Sequence, residues 1–360
     1  MTQNYKLIID SNVWGAEEAF ANLGQVSLLS FQDITPSAIR FADALITRSS
    51  IQSNQSLLEG SNVSFVGTAT IGDDHVDKAY LAAQGITFAS AAGSSTDAVV
   101  EYILASLFTL ETLGKLSFSK DKIGIIGVGR IGSLLDKTCD NIGLKTLLND
   151  PPKGLETSLD EVLASADILT LHTPLEKDGE HPTYHLLGVN EFAKFKGKGI
   201  INAGRGACVD NQALLDWLNQ DDEHFAVLDC WEHEPNINVE LLKHPQTIIA
   251  TPHIAGHSLD GKAANTYFVY RDLCTFLQVS PTWDMDAALP AIEQVLAQGL
   301  SKSALALKMY PIQNDTLAMK EAASSDNFKV WFSSYRKNYP VRRSWAKVLS
   351  ANNYAEDMFF

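Results

Sequence analysis

Residues 122–132 read KIGIIGVGRIG, and this stretch decides the fold. An apolar run suited to a buried strand opens directly into Gly127, Gly129 and Gly132, and a segment of helical period follows. At this spacing the first glycine permits a tight turn, the second lets backbone approach a pyrophosphate, and the third lets the helix pack on the strand. The stretch predicts a strand–turn–helix unit that binds a dinucleotide at the helix N-terminus. The alternative is a glycine-rich turn without a ligand.

The next predicted strand ends at Asp150, eighteen residues past Gly132. A carboxylate at this place accepts hydrogen bonds from an adenosine ribose and repels a 2′-phosphate, and no arginine follows within residues 151–154. We therefore favour NAD over NADP, although Asp150 could also serve only the turn. Arg130 and Ile131 lie in the same loop and are predicted cofactor contacts, and Arg130 could equally be solvated.

Outward from this unit, short apolar runs alternate with helical-period segments up to about residue 280, a pattern typical of parallel α/β units. A long apolar helix at 96–114 separates two series of strands. The first series is predicted at 6–10, 44–47, 64–67 and 87–89. The second series is predicted at 122–126, 145–148, 168–171, 199–202, 225–228 and 247–250.

The predicted fold is α/β, with two doubly wound parallel-sheet domains and a small α+β C-terminal domain. The C-terminal part has a strand candidate at 304–309 and a helix rich in aromatic and basic residues at 328–339. We assign 1–95 to the first sheet domain, 96–252 to a Rossmann domain, 253–280 to a segment returning to the first domain, and 281–360 to the C-terminal domain.

Composition excludes several classes of protein. A net charge of −15 over 360 residues gives no basic excess for nucleic acid or an anionic membrane surface. The four cysteines have no metal-type spacing, so we expect reduced thiols and no metal site. No signal peptide and no apolar run of membrane-spanning length is present, so a cytoplasmic protein is expected.

Three later segments place polar residues just after predicted strands, where open parallel sheets bind ligands. GIINAGRGACVD at 199–210 sets Arg205 between glycines, and its guanidinium fork suits a carboxylate. AVLDCWEHEP at 226–235 carries Asp229, Glu232 and Glu234, and IIATPHIAGH at 248–257 carries His253. A structural salt bridge for Arg205 and a structural role for His253 are the alternatives.

In this order and spacing, GVGRIG, Asp150, NAGRG, the Glu234–Pro235 pair and TPHIAG resemble the D-isomer-specific 2-hydroxyacid dehydrogenases. Further strings resemble one branch of that family: FVGTATIGDDHVD at 65–77, LHTPLEKDG at 171–179, TPHIAGHSLDGKA at 251–263 and RKNY at 336–339. The resemblance implies NAD-dependent oxidation of a phosphorylated 2-hydroxy acid in vitamin B6 biosynthesis. It also implies a homodimer formed through the C-terminal domain.

The resemblance makes Arg205, Glu234 and His253 the catalytic trio. Hydride leaves C2 only as its hydroxyl loses a proton, which suits His253 as acid and base. Glu234 would orient the imidazole and favour its charged form, and Arg205 would hold the carboxylate and the C2 oxygen.

The resemblance also implies cofactor and substrate contacts at individual residues. The implied cofactor contacts are Thr173, Ala203, Gly204, Asp229 and Gly256, and Arg205 is counted among them. The implied substrate contacts are Ser49, Thr70 and His257. Apart from the resemblance, a substrate phosphate needs cations, and Arg48 is the first candidate, with Arg342 or Arg343 of a partner subunit as a weaker one. Ser49 and Thr70 could be ordinary loop hydroxyls, and Asp229 could cap a loop. His257 and Gly204 replace a tyrosine and a cysteine of the relatives.

Two other functions stay open. Another family member, such as a glyoxylate/hydroxypyruvate reductase or a 3-phosphoglycerate dehydrogenase, would share the trio. A non-catalytic NAD-sensing protein could keep the fold. The C-terminal aromatics Trp331, Phe332, Tyr335, Tyr339 and Trp345 suit a dimer interface, and the alternative is a core of their own.

Overall fold

The computed structural model describes residues 5–155 and 157–360, which form two compact units. Unit 1 comprises the chain up to Ser95 together with Ser258–Ala291. Unit 2 comprises Thr96–His257 and Ile292–Phe360. Each unit is built around its own parallel sheet.

The strands alternate with helices along the chain. Those of unit 1 are β1 Tyr5–Asp10, β2 Gly24–Leu29, β3 Ala44–Thr47, β4 Phe65–Thr68 and β5 Thr87–Ser90. Those of unit 2 are β6 Lys122–Ile126, β7 Lys145–Asn149, β8 Ile168–Leu171, β9 Gly199–Asn202, β10 Phe225–Leu228 and β11 Thr247–Ala250.

The helices cover the sheets, and short 3₁₀ turns lie at Pro151–Lys153 and Gly206–Cys208. They are α1 Ala16–Phe20, α2 Pro36–Ile39, α3 Gln55–Leu58, α4 Lys78–Ala83, α5 Thr96–Thr112, α6 Arg130–Ile142, α7 Leu159–Ser165, α8 Val189–Lys194, α9 Asn211–Leu218, α10 Val239–Lys243, α11 Leu259–Phe276, α12 Met285–Ala288, α13 Lys302–Met309, α14 Ile312–Ala322, α15 Phe328–Lys337 and α16 Trp345–Ala351.

The sheet of unit 1 has the strand order β2-β1-β3-β4-β5, with all pairings parallel. Helix α11, which follows the last strand of unit 2 in sequence, packs on this sheet. A Cβ built at Gly67 in β4 would lie 2.4 Å from a Val269 methyl of α11, so glycine permits this close approach. Val269 and Tyr270 are fully buried with Leu7 and Ile9 of β1.

The sheet of unit 2 has the order β11-β10-β9-β8-β6-β7. Ile126 at the end of β6 pairs with Asn149 of β7 on one side and with Leu171 of β8 on the other. The chain therefore reverses its direction across the sheet beside β6, and ligands of such sheets bind at the carboxyl ends of the strands around this point. The expected Rossmann arrangement is confirmed.

Helix α5 is buried along almost its whole length, from Ala98 to Leu110. It belongs to the core on one face of the sheet of unit 2, to which Trp345 and Phe359 also contribute. The core on the other face includes Met319 and Phe332. The C-terminal residues therefore complete the hydrophobic cores on both faces of the Rossmann sheet.

This packing corrects the description of the C-terminal region. Residues 292–360 are part of unit 2 and are not a compact unit of their own. The strand predicted at 304–309 is wrong, because these residues form α13, and the described residues beyond 291 contain no strand. Ser301 caps α13 by accepting from Ala304 N–H, and its alanine, leucine, lysine and methionine residues favour helix.

The return to unit 1 begins later than the predicted 253. Residues 253–257 stay with unit 2 because the Asp229 side chain accepts hydrogen bonds from the N–H groups of Ile254 and Ala255. In the described part of the chain, no helix has both the length and the apolar character needed to span a membrane.

A buried ion pair joins the C-terminal region to α5. The Arg342 guanidinium lies 3.4 Å from Glu101 Oε2, and the two side chains are 5% and 1% exposed. Glu101 Oε1 accepts the Trp345 N–H at 2.7 Å, and Arg342 donates to the Ala255 carbonyl at 2.7 Å. The Arg342 guanidinium also lies over the Tyr310 ring, 4.2 Å from its centroid.

We expect Glu101→Leu to lower the free energy of unfolding by about 3–5 kcal/mol, because the Arg342 charge stays buried without its partner. Urea unfolding midpoints measure the change. The free energy of unfolding should fall less in the double variant Glu101→Leu/Arg342→Met than in Glu101→Leu alone. Equal losses in the two variants would mean that the unpaired charge is not the cause.

Candidate active site

The glycine turn after β6 is closed on one side and open on the other. Gly127 has a φ of 88°, and a Cβ there would lie 2.8 Å from the His172 carbonyl carbon. A Cβ at Gly132 would lie 2.2 Å from the Gly127 oxygen, whereas one at Gly129 would meet no atom of the described chain within 4 Å. Close packing therefore needs the first and third glycines, and the open side of the second can receive a ligand.

A cavity of about 390 Å³ lies beside this turn within unit 2. Its volume falls in the range of small-molecule sites. Asp150 Oδ2 accepts the Val128 N–H at 2.8 Å, and Lys153 Nζ donates to the Val128 carbonyl. Among its lining residues are Gly127, Gly129, Asp150, His172, Thr173, Pro174 and Thr183.

His172 is a cavity residue that the sequence analysis missed. Burial lowers the pKa of its imidazole to about 4, so the ring is neutral at neutral pH. Its Nε2 pairs with Thr170 Oγ1 at 3.0 Å, and its Nδ1 has no hydrogen-bond partner among the described residues. The open Gly129 side, the Asp150 carboxylate and this unpaired nitrogen together fit a dinucleotide.

The side chains of His253 and Glu234, which were predicted to act as a pair, lie within hydrogen-bond distance. His253 Nδ1 lies 2.9 Å from Glu234 Oε2, and Glu234 Oε1 accepts the Trp231 N–H at 2.7 Å. Burial raises the pKa of the Glu234 carboxyl, but His253, the Trp231 N–H and Arg336 outweigh it and hold the pKa below its ordinary value. Glu234 is therefore ionised at neutral pH and accepts the hydrogen from His253 Nδ1.

Asp229 shapes the loop that carries His253. Its Oδ1 accepts from Thr251 Oγ1 and the Ile254 N–H, both at 2.7 Å, and its Oδ2 accepts the Ala255 N–H at 3.0 Å. Burial raises the pKa of the Asp229 carboxyl, and His253 with these hydrogen bonds offsets only part of the rise. The side chain, for which both a cofactor contact and a loop cap were considered, forms hydrogen bonds that cap this loop.

Arg205 approaches the same place from the loop after β9. Cys230 Sγ, a Glu234 oxygen and a His253 nitrogen lie within 4.8 Å of one another. Burial raises the pKa of the Cys230 thiol well above its ordinary value, Asp229 and Glu234 raise it further, and the nearby Arg205 and Arg336 lower it. The guanidinium of Arg205 lies beside this cluster, because its Nη1 donates to the Gly204 carbonyl at 3.0 Å and Cys230 Sγ donates to the same oxygen at 3.2 Å.

Tight backbone packing surrounds this arginine. A Cβ at Gly206 would lie 1.9 Å from the Trp231 oxygen, and one at Gly204 would lie 2.9 Å from the Leu171 oxygen. A cysteine at position 204 would therefore require a shift of the backbone in this structure. Ala203 is buried beside them, and Gly256 is half-buried in the His253 loop.

The predicted substrate residues of unit 1 follow β3 and β4. Ser49 is exposed, and the Thr70 hydroxyl donates to the Gly72 carbonyl at 2.9 Å. Arg48 Nη1 donates to the Asn12 carbonyl at 3.1 Å. Lys262 on α11, missed by the sequence analysis, is a neighbouring cation: burial lowers the pKa of its ammonium and Arg48 lowers it further.

The remaining predicted residues lie in unit 2. Arg130 is exposed at the start of α6, with Ile131 half-buried behind it. The His257 ring meets the Tyr339 ring edge-on at 6.2 Å. Glu232 turns away from the trio, because its Oε1 pairs with His185 Nε2 at 2.7 Å. The prediction of Arg342 as a phosphate ligand is wrong, since its side chain is buried in the core and pairs with Glu101.

Comparison with known proteins agrees with this geometry. The family model described as the NAD binding domain of D-isomer specific 2-hydroxyacid dehydrogenases matches residues 103–255. Erythronate-4-phosphate dehydrogenase of Hydrogenovibrio crunogenus is 39% identical, over 96% of this chain and 93% of that protein. The enzyme of that name from Escherichia fergusonii is 41% identical, over 95% of this chain and 93% of its own.

Solved structures show the same fold at lower identity. D-lactate dehydrogenase from Aquifex aeolicus, solved in complex with NAD and lactic acid, is 22% identical with a TM-score of 0.63, and the match covers 76% of this chain and 95% of that one. The chain is thus an NAD-dependent oxidoreductase that belongs to the D-isomer-specific 2-hydroxyacid dehydrogenase family, among the erythronate-4-phosphate dehydrogenases.

Proposed function

We propose that this enzyme oxidises 4-phospho-D-erythronate to (R)-3-hydroxy-2-oxo-4-phosphonooxybutanoate with NAD, as a step of pyridoxal 5′-phosphate biosynthesis. The names of its relatives support this substrate. The observation that carries the chemistry is the 2.9 Å hydrogen bond between His253 Nδ1 and Glu234 Oε2. It fixes which imidazole nitrogen can exchange a proton with substrate.

Because the ionised Glu234 accepts from His253 Nδ1, the other nitrogen, Nε2, is left as a base. His253 Nε2 takes the C2 hydroxyl proton as the C2 hydrogen leaves with its electron pair, and C2–O becomes a carbonyl. Bound NAD supplies the acceptor for that hydride. The imidazolium formed at His253 then lies against the Glu234 carboxylate, which stabilises it.

Arg205 completes the trio by holding the substrate carboxylate and the C2 oxygen. Its planar fork suits two-point binding of a carboxylate. Glycines on both sides let the backbone pack closely against neighbouring segments, and this packing fixes the position of the Arg205 backbone. A preorganised positive charge at the C2 oxygen favours the transition state as charge shifts there.

For the cofactor, we propose that the open side of the Gly127–Gly132 turn receives the pyrophosphate and Asp150 the adenosine ribose. Arg130, Ile131, Thr173, Ala203, Gly204 and Gly256 are the further contacts proposed. Asp229 acts on the cofactor site through the loop it caps. The 390 Å³ cavity beside the turn supports this placement.

We propose Arg48 and Lys262 as the phosphate ligands, with Ser49, Thr70 and His257 as further substrate contacts. The two cations are near enough for Arg48 to lower the pKa of Lys262, in a chain whose net charge is −15. A bound anion would offset the repulsion between the two cations.

A homodimer through the C-terminal region is also proposed. Of the aromatics that indicated an interface, Phe332 and Trp345 are buried in this chain's own cores, whereas Trp331, Tyr335 and Tyr339 are half-buried. The support comes from apolar side chains of that region that stay exposed: Leu317 at 58%, Val330 at 68% and Val341 at 69%.

We expect His253→Ala to lower kcat for 4-phosphoerythronate by about 10²–10⁴-fold, which is the usual effect of a positioned acid–base group. NADH absorbance follows turnover, and quenching of protein fluorescence follows NAD binding, which should be unchanged. His244→Ala, in a loop outside the site, is the matched control. A His253→Ala enzyme with wild-type turnover would remove His253 from the mechanism.

We expect Glu234→Gln to move the acidic limb of the kcat/KM profile for oxidation to lower pH, by about one unit or more. Oxidation needs a neutral imidazole, and the charged imidazole loses its counter-charge in this variant. Glu232→Gln, in the same loop but paired with His185, should leave the limb in place. An unmoved limb in Glu234→Gln would show that the carboxylate serves only structure.

We expect Arg48→Ala and Lys262→Met each to lower kcat/KM for 4-phosphoerythronate by about 10- to 100-fold, since a hydrogen bond between charged groups is lost. Turnover of unphosphorylated erythronate should change far less. Arg40→Met, an exposed cation of the same unit, is the control. Equal losses with both substrates would exclude the two cations as phosphate ligands.

A further inference from the structure

Three side chains of the C-terminal region reach the loop that carries His253. Arg336 Nε donates to the His253 carbonyl at 3.2 Å, and Arg342 Nη2 donates to the Ala255 carbonyl at 2.7 Å. The Tyr339 ring meets the His257 ring edge-on. The contact made by Arg336 is the one directed at the histidine itself.

We propose that Arg336 is a positioning residue for the acid–base histidine: it holds the His253 backbone by a direct hydrogen bond and places a fixed positive charge beside the Glu234–His253 pair. This inference rests on the role proposed above for His253. Arg336 acts through its neighbours and is assigned no contact with substrate or cofactor.

The support of Arg336 is itself rigid. It lies in the last turn of α15, next to Tyr335, whose hydroxyl donates to Asp315 Oδ1 at 2.7 Å. The Tyr339 hydroxyl donates to the other oxygen of Asp315 at 2.8 Å. Two hydrogen bonds to one carboxylate of α14 therefore fix the end of α15 that presents the guanidinium, which reduces the freedom that Arg336 must lose.

The effect of the Arg336 charge on the pH profile has a predictable sign. The titratable and charged groups around His253 are Glu234, Asp229 and Cys230 from the loop after β10, Arg336 from α15, and Arg205 from the loop after β9, which shares the Gly204 carbonyl with Cys230. Among them Glu234 favours the charged imidazole and Arg336 opposes it. Removing Arg336 should therefore shift the acidic limb in the direction opposite to that of Glu234→Gln.

The experiment compares Arg336→Met, Arg336→Lys and Lys337→Met in the full-length enzyme, with 4-phosphoerythronate and NAD. Arg336→Met should lower kcat by about 10- to 100-fold, because a displaced base loses alignment, while KM changes less than about 3-fold. Its acidic limb should rise by about 0.3–1 pH unit, the effect of a nearby charge in a partly solvated site. Lys337 is the exposed neighbour, and its variant should match wild type.

Arg336→Lys separates charge from geometry. It should restore the position of the acidic limb but only part of kcat, since an ammonium cannot reproduce the guanidinium Nε–H. Thermal unfolding checks that each variant is folded. If Arg336→Met misfolds, Arg336→Lys provides the test. A wild-type kcat in Arg336→Lys would overturn the proposal that the hydrogen bond from Arg336 positions His253.

Other outcomes overturn the inference. A wild-type kcat and pH profile in folded Arg336→Met removes any role, and a loss confined to KM assigns Arg336 to substrate binding instead. His253→Ala measured in parallel distinguishes this failure from failure of the proposed function. If His253→Ala is inactive and Arg336→Met is normal, only the positioning role falls.

Discussion

The geometry of the loop that carries His253 depends on the Asp229 carboxylate. His253 has a φ of 56°, a left-handed conformation that non-glycine residues seldom adopt and that costs about 1–3 kcal/mol. Asp229 stabilises this turn by accepting two backbone N–H groups and one hydroxyl from residues 251–255. In addition, its own carbonyl accepts the His253 N–H at 2.8 Å. Without these contacts the imidazole would have no fixed direction toward Glu234.

The parallel sheet explains why residues far apart in sequence meet. β9, β10 and β11 are neighbours, so their carboxyl ends place Arg205, Glu234 and His253 at one edge. The glycine turn after β6 lies at the same edge of the same sheet. The residues proposed for proton transfer and the turn proposed to bind NAD thus share one rigid support, and this follows from the sheet topology before any side chain is considered.

Most of the strands could be predicted from the sequence, because buried parallel strands are short apolar runs that end at polar or glycine residues. The six strands of unit 2 lie where the sequence indicated. β2 was missed because GQVSLL is an edge strand with mixed burial and no continuous apolar run. α13 was predicted as a strand because SALAL alternates in size, although Leu305, Ala306 and Met309 are buried at helical spacing.

The site was predictable where a motif carried it and not where only tertiary contact did. Asp229 lies in a recognisable segment, yet its role as a cap depends on the fold of the next loop. Lys262, His172 and Arg336 lie in strings that resemble those of relatives, but nothing in these strings assigned a role to the three residues. The role of each depends on a neighbour distant in sequence or on its place in a cavity wall.

The C-terminal region joins folding to catalysis through shared residues. Arg342 neutralises Glu101 in the core and, through another nitrogen, donates to the carbonyl of Ala255 in the loop that carries His253. Any sequence change that relaxes the packing of 292–360 on α5 therefore also frees the loop after β11. The same coupling works in reverse, because a ligand that orders the loop strengthens contacts that hold the C-terminal helices. Stability of this region and alignment of His253 are thus two consequences of one set of hydrogen bonds.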